Sequence, residues 1–343
     1  MLENEFSELA VAWQPELRAH CYRMLGSVHD AEDALQEALV RAWKGIDGFE
    51  GRGSIRSWLY SIATNTALDI MRHRSRREFP VDMGPSAGAG AEVGRALTDL
   101  PWLEPYPDGW LAPVAEPSPE ARYEQRESIE LAFTAALQHL PPLQRAVLLL
   151  REVVGFSAAE IADQLGTSAA SVTSALQRAR STMQARLPDR SQQVTLQELG
   201  DSRAAEIVRR YADAMERADI DALTGMITED VTWSMPPVPT WYQGVAAVRE
   251  FLVTYPLTDR WRHRPAQACG QLSVAGYFYD RVAGEFVPAA IDVITVADGK
   301  ISAVTGFLTA ELIGDHDVPR GWIRGAELFA RFGLPAEAPL SHC

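Results

Sequence analysis

Phe156-Ser-Ala-Ala-Glu-Ile-Ala-Asp-Gln-Leu-Gly-Thr-Ser-Ala-Ala-Ser-Val-Thr-Ser-Ala-Leu-Gln-Arg-Ala-Arg180 reads as two short helices broken at one glycine. Ser157 followed three residues later by Glu160 is a capping box that starts the first helix. Ile161 and Leu165 repeat at helical spacing, and Gly166 supplies the left-handed residue that ends it. Ser168 caps the second helix, in which Val172, Leu176, Ala179 and Met183 form the apolar stripe. Ser171, Ser174, Arg178 and Ser181 share the opposite face, with Thr173 and Gln177 on its flank. That is the form of a helix-turn-helix, whose second helix lies in a DNA major groove. The plainer alternative is a helical hairpin inside a bundle.

Around this stretch lie 343 residues, enough for two or three domains, with 47% apolar residues and a net charge of −14. The acidity is unfavourable for a protein that sits on DNA. It does not forbid local basic faces, because only charges within roughly 10 Å of the phosphates act strongly. It also suits acidic surfaces made for a basic partner. Cys21, Cys269 and Cys343 are far apart and in no metal-ligand spacing, so a reducing compartment and no metal or cofactor are expected. Glu3, Glu5 and Glu8 replace the basic-then-apolar pattern of a signal peptide, and no span for a membrane is visible. The expected location is the cytoplasm.

Residues 1–79 are helical in pattern. Residues 80–120 contain eight prolines, from Pro80 to Pro119, and a cluster of glycines and alanines between Gly84 and Gly94, the grammar of a linker. An aromatic and acidic island, Asp99 to Asp108, sits inside it. Helical pattern returns over 121–187, and a polar joint covers 188–200. From 201 to 343 the pattern becomes α+β: helices over 203–218 and 245–253, and strands over 231–235, 267–279, 285–297 and 300–310. Asp298-Gly299 between the last two is a hairpin signal.

In Asp30 to Trp43, Ala31, Leu35, Ala38, Leu39 and Ala42 make a buried stripe, while Glu32, Asp33, Gln36 and Glu37 crowd the other side. That side is either a solvated acidic face or a docking surface, where complementary charge fixes register with a basic partner. Between Gly51 and Arg77 six arginines (52, 56, 72, 74, 76 and 77) face one acid, Asp69. Such a local excess suits phosphate contacts. Phe49, beside Arg52 in a glycine-containing loop, could stack on an unpaired base, and Trp58, Leu59 and Ile62 read as core.

Tyr22-Arg-Met-Leu-Gly26, Asp30 to Glu37, Ser57 to Asn65 and Leu68-Asp69, followed by Phe156 to Arg180, resemble the second and fourth domains of bacterial RNA polymerase sigma factors. The likeness is to the extracytoplasmic-function group of the sigma-70 family, and the linker island resembles its SigG-type branch. It implies two all-α DNA-binding domains. The segment 30–43 would dock on core RNA polymerase. Within 49–77, Phe49, Arg52, Asn65 and Asp69 would open and read the promoter −10 element, with Arg72, Arg74, Arg76 and Arg77 on phosphates. Ser171, Thr173, Ser174, Gln177 and Arg178 would read the −35 element as duplex. The linker, with Asp99, Glu104 and Asp108, would thread the polymerase's RNA path. Thr173 and Ala175 stand where many relatives carry Lys and Arg, which implies a looser hold on phosphate.

The C-terminal part resembles the cone-shaped SnoaL-like domain, and the resemblance implies regulation in cis. Trp233, Met235, Trp241, Tyr242, His263 and Asp292 are candidates to line a concave apolar site for a small-molecule ligand, the alternative being that they fill the domain core. Cone folds also host carboxylate-based isomerases and cyclases, but no pair here has a spacing that singles out a catalytic base, and fold does not give function. The expected role is therefore a non-enzymatic transcription initiation factor. The competing expectation is a helix-turn-helix regulator that binds duplex DNA without polymerase and carries a ligand-binding or cyclase-like tail.

Overall fold

The computed structural model describes residues 3–46, 54–111, 124–313 and 324–337. They divide into two units, one of residues 1–77 with 110–189, the other of 78–109 with 190–343.

The first unit is helical: α1 (Glu3–Leu25), α2 (Val28–Gly45), α3 (Ile55–Arg72), α4 (Leu131–Gln138), α5 (Pro142–Leu148), α6 (Ala158–Leu165) and α7 (Ala169–Gln184). Serine caps recur where the sequence places them. Ser27 accepts from the Asp30 amide, Ser54 from Ser57, Ser157 from Glu160 and Ser168 from Ser171. Glu160 completes its capping box, and Gly166 stops α6 at φ +61°. In α7 the buried residues are Val172, Ala175, Ala179 and Met183, so Ala175 takes the core position expected for Leu176, which is half-buried. Leu39 of α2 is likewise half-buried, and Ala34 joins the buried stripe in its place.

Two buried arginines tie the two helical blocks of this unit together. Arg23 of α1 donates from Nε to the Ser128 carbonyl at 3.0 Å and from a terminal nitrogen to the Ser128 hydroxyl at 2.6 Å. Arg145 of α5 donates to the carbonyls of Met24, Gln138 and Leu140. Its burial pulls the guanidinium pKa down to about 9, and the ring of carbonyls keeps the charge tolerable.

The second unit holds α8 (Gln192–Leu199), α9 (Asp201–Glu216), α10 (Ile220–Met226), α11 (Val245–Thr254) and α12 (Gly325–Arg331). These accompany β1 (Ile227–Met235), β2 (Val238–Gln243), β3 (Trp261–Ala268), β4 (Gln271–Asp280), β5 (Glu285–Ala297) and β6 (Lys300–Leu308). The strands form one sheet in the order β2-β1-β6-β5-β4-β3, antiparallel except where β1 runs parallel to β6. The single strand expected over 267–279 is two, because Cys269 and Gly270, both at positive φ (57° and 65°), turn a hairpin there. β2 was not expected; Pro239 and the polar Thr240 and Gln243 blur its alternation.

The joint at 188–200 is α8, held by side-chain amides that imitate backbone. Gln192 accepts from the Val296 amide at 2.8 Å and donates to the Val296 carbonyl at 3.0 Å, while Gln193 donates to the Gly270 carbonyl at 2.6 Å. Residues 78–109 also belong to this unit. Trp102, Leu103 and Tyr106 of the aromatic island are at most 2% exposed, because three large apolar side chains gain more from burial than from water.

Candidate nucleic-acid interface

On α7, Ser171, Thr173, Ser174, Gln177 and Arg178 are all exposed, on the side away from the buried stripe. The Thr173 hydroxyl donates to the Ala169 carbonyl at 2.9 Å, which turns its lone pairs outward. Ala175 is buried, so in this chain that position makes no phosphate contact. Arg180 is paired with Glu152 at 2.5 Å, and Arg178 and Arg180 are both exposed.

On α3 the basic block is largely engaged within the unit. Arg72 and Arg41 both hold Asp69, at 2.5 Å and 3.1 Å. Arg74 and Arg77 both reach the buried carboxylate of Asp30, and Arg77 also donates to the Leu25 carbonyl at 3.2 Å. Arg77 is only 12% exposed at its side chain, so it stands inside the fold, whereas Arg74 is about half exposed. Arg76 is exposed and lies 3.0 Å from His139 Nδ1. Arg56 donates to the Val154 carbonyl at 2.8 Å and lies over the rings of Tyr60 and Phe156. Asn65 donates to the Ser61 carbonyl at 2.9 Å and reaches the Gln164 carbonyl at 3.4 Å. Leu59 is buried, while Trp58 and Ile62 are half-buried. Phe49 and Arg52 lie outside the described residues.

Beneath α3, His20 bonds Thr64 through Nε2 at 2.9 Å, and burial, then the Arg23 charge, push its pKa down to about 3. It is a neutral core residue that seats α3 on α1.

On α2, Asp33, Gln36 and Glu37 are exposed and Glu32 half-buried. Val40 and Trp43 continue the same helical face and are 51% and 42% exposed. Sequence reasoning passed over these two. Apolar side chains standing in water beside an acidic patch suit a docking face, and their i+4 and i+7 spacing from Gln36 was the available signal.

In the C-terminal unit one tyrosine gathers the candidates. Tyr211 of α9 donates to Asp292 Oδ2 at 2.9 Å, stacks on Trp233 at 6.2 Å and meets His263 edge-on at 6.3 Å. Burial lifts the Asp292 carboxyl to about 6, against the opposing pull of the Tyr211 hydroxyl, and pushes His263 down to about 3. His263 Nδ1 has no hydrogen bond and lies 4.0 Å from Glu216. Tyr242 stacks on Phe251 at 4.8 Å, and with Trp233 and Met235 it belongs to the domain's apolar core. Trp241, its neighbour in β2, points to the other side and donates to the Gly84 carbonyl at 2.9 Å. Tyr211 escaped sequence reasoning, which placed a helix over 203–218 without singling it out. The buried residues are Val208, Tyr211, Ala214 and Met215. Among the described residues no group of three or more His, Cys, Asp or Glu could hold a metal ion, and no helix is long and apolar enough to cross a membrane.

Residues 9–77 match the family Sigma-70 region 2, residues 130–183 the family Sigma-70, region 4, and residues 208–304 the SnoaL-like domain. The ECF RNA polymerase sigma factor SigG of Mycobacterium tuberculosis is 39% identical over 342 residues, covering 97% of this chain and 84% of the relative. The chain belongs to the extracytoplasmic-function sigma factors. Such a sigma factor is a non-enzymatic subunit that binds core RNA polymerase and directs it to promoter DNA. SigW of Bacillus subtilis is 29% identical over 189 residues, 54% of this chain and 91% of the relative, which limits the likeness to about half of this sigma factor. The crystal structure of Mycobacterium tuberculosis SigJ shares the fold, with a TM-score of 0.55 and 22% identity over 91% of this chain and 99% of that one. Matches to both sigma regions set aside the competing expectation of a helix-turn-helix regulator that works without polymerase.

Proposed function

We propose that α2 docks this sigma factor on core polymerase through Asp33, Gln36, Glu37, Val40 and Trp43, with Glu32 at its edge. In the same reading α3 with the 49–77 block captures the −10 element through Phe49, Arg52, Asn65 and Asp69. Arg72, Arg74 and Arg76 hold phosphates, and α7 reads the −35 element through Ser171, Thr173, Ser174, Gln177 and Arg178. The observation that carries it is the outward, polar face of α7, left clear of the core along its whole length. Two weak DNA contacts on one polymerase scaffold gain from effective concentration, so neither module needs high affinity alone. The C-terminal domain regulates this activity in cis, and the protein works in the cytoplasm.

The test is transcription with purified core polymerase on a matched promoter. Asn65→Ala combined with Arg72→Ala abolishes open-complex formation; an unchanged yield would remove the −10 assignment. A gel shift separates this from a free-standing regulator, because promoter binding here requires core polymerase.

A further inference from the structure

The chain enters β3 as Arg260-Trp-Arg-His-Arg264. Strand alternation sends Trp261 and His263, which stack at 5.8 Å, to the side of α9, and the three arginines to the opposite face of the sheet. β3 is an edge strand, paired only with β4. Register carries the arginine face inward: Arg262 stands opposite Tyr277, Arg264 opposite Ala275, and Tyr279 opposite Phe286. The Tyr279 amide donates to the Arg260 carbonyl at 2.9 Å, so Arg260 extends the same ladder. The Arg260 guanidinium lies 4.5 Å from the centre of the Tyr279 ring and 5.7 Å from that of Phe286, and Arg262 lies 4.5 Å over Phe286. Stacking on the rings fixes the guanidinium planes and leaves their N–H edges to an outside acceptor.

The acids of this corner do not neutralise the row. Asp280 and Glu285 pair across the β4–β5 hairpin at positions that alternation assigns to the other face, and Asp280 Oδ1 accepts from the Val282 and Ala283 amides. Asp259 lies 3.9 Å from Arg281. Among the described residues Arg260 and Arg264 have no carboxylate partner. Arg209, Arg217 and Arg249 of the same unit all have one. Like charges repeated along one strand, about 6–7 Å apart, cost folding energy, which an extended polyanion would recover. That interval is on the order of the spacing of successive phosphates along a nucleic-acid strand. Tyr279 and Phe286 lie beneath guanidiniums and offer no open face to an unpaired base, so the row suits a duplex backbone.

We propose that Arg260, Arg262 and Arg264 are a third DNA contact of this sigma factor, holding backbone phosphates of the promoter duplex without reading bases. The inference rests on the chain being a sigma factor and not on the residues assigned to the −10 and −35 elements. A holoenzyme on its promoter already holds duplex at high effective concentration, so a weak contact is enough. An acidic protein surface is the competing occupant.

The test assembles the full-length Arg260→Gln/Arg264→Gln chain with core polymerase and measures promoter affinity between about 50 and 200 mM salt. Loss of two phosphate contacts is expected to lower the salt slope by about 2, so the gap to wild type narrows about tenfold across that range. Arg260→Lys/Arg264→Lys keeps the charges and is expected to restore the slope. An unchanged slope in the glutamine variant overturns the proposal, as does a lysine variant that behaves like it, which would mark a structural role. An iron chelate attached through Arg260→Cys, in a chain carrying Cys343→Ser, locates the occupant, since Cys21 and Cys269 are buried. Cleavage of the promoter backbone at one place is expected. Cleavage confined to polymerase subunits overturns the proposal in favour of an acidic protein surface. A wild-type holoenzyme that binds no promoter would count instead against the functional reading beneath it.

Discussion

Asn65, on the helix assigned to the −10 element, points its side-chain amide at the backbone carbonyl of Gln164 in the first helix of the helix-turn-helix, 3.4 Å away. The contact has company: Gln164 donates to the Ser57 hydroxyl at 2.9 Å, and Arg56 reaches the Val154 carbonyl. On the proposed assignment, the face of α3 that meets DNA is applied to α6, and promoter capture would open these bonds. Gln164→Ala removes the side-chain hydrogen bond to Ser57 from the closed side of the balance and replaces no residue assigned to DNA. A bond worth about 1 kcal/mol shifts the closed-to-open ratio about fivefold. Initial promoter binding by the holoenzyme, followed by abortive initiation at low enzyme concentration, should rise by up to that factor.

Arg77 separates a structural role from a phosphate contact. Its side chain is 12% exposed and shares the buried Asp30 carboxylate with Arg74. Removing the sole partner of a buried charge costs roughly 3–5 kcal/mol; Arg74 still reaches Asp30 when Arg77 is lost, so the expected cost is a part of that. Arg77→Ala is therefore expected to unfold the N-terminal helices at distinctly lower denaturant concentration, followed by circular dichroism. Arg72→Ala, whose side chain is 69% exposed and paired only with Asp69 at the surface, leaves that midpoint nearly unchanged. If the two variants are equally stable, Arg77 belongs with the DNA contacts after all.

The helix-turn-helix was legible almost to the residue, because capping serines, Glu160 and Gly166 act locally and are read in order along the chain. The sheet was legible where alternation is clean, over β5 and β6 around Asp298-Gly299, and hidden where Cys269 takes a left-handed turn that sequence rules reserve for glycine or asparagine. The arginine block was read by counting charges, and counting cannot tell Arg178 in water from Arg77 inside the fold. Nor can it see a distant acid such as Asp30 reaching across 47 residues of chain. The linker misled for a related reason. Alanine and glycine suit both a free spacer and a strap pressed against a surface, and only the surface decides between them.

Arg178 is expected to hold phosphate or a base edge on the −35 duplex, and the two are distinguishable. Loss of a phosphate contact weakens binding evenly across sequences and lowers the salt slope by about 1, whereas loss of a bidentate base contact costs about 1–3 kcal/mol at one position. Arg178→Ala is therefore measured in holoenzyme against promoters altered one base at a time in the −35 element, at two salt concentrations. Ser171→Ala, which lacks a charge, should leave the salt slope alone while changing the base preference.

The buried pair of the C-terminal domain makes its stability depend on pH in a way one substitution exposes. Asp292 rises from 3.8 to about 6 on folding, so the fold prefers its protonated form. That contribution is present below pH 4 and is lost as pH climbs through 6. His263 falls from 6.5 to about 3, so the fold prefers its neutral form, and that contribution is lost as pH drops below 6.5. Between pH 4 and 6 the two slopes oppose one another, and together they leave little net trend. Asp292→Asn keeps an acceptor for the Tyr211 hydroxyl and removes the first slope. The stability difference between variant and wild type should be near zero at pH 3.5 and grow to roughly 3 kcal/mol in the variant's favour by pH 7, for a shift of about two units. Hydrogen exchange of the α9 and β5 amides across this range reports it. A difference that stays constant with pH would mean that Asp292 titrates in the fold as it does in water.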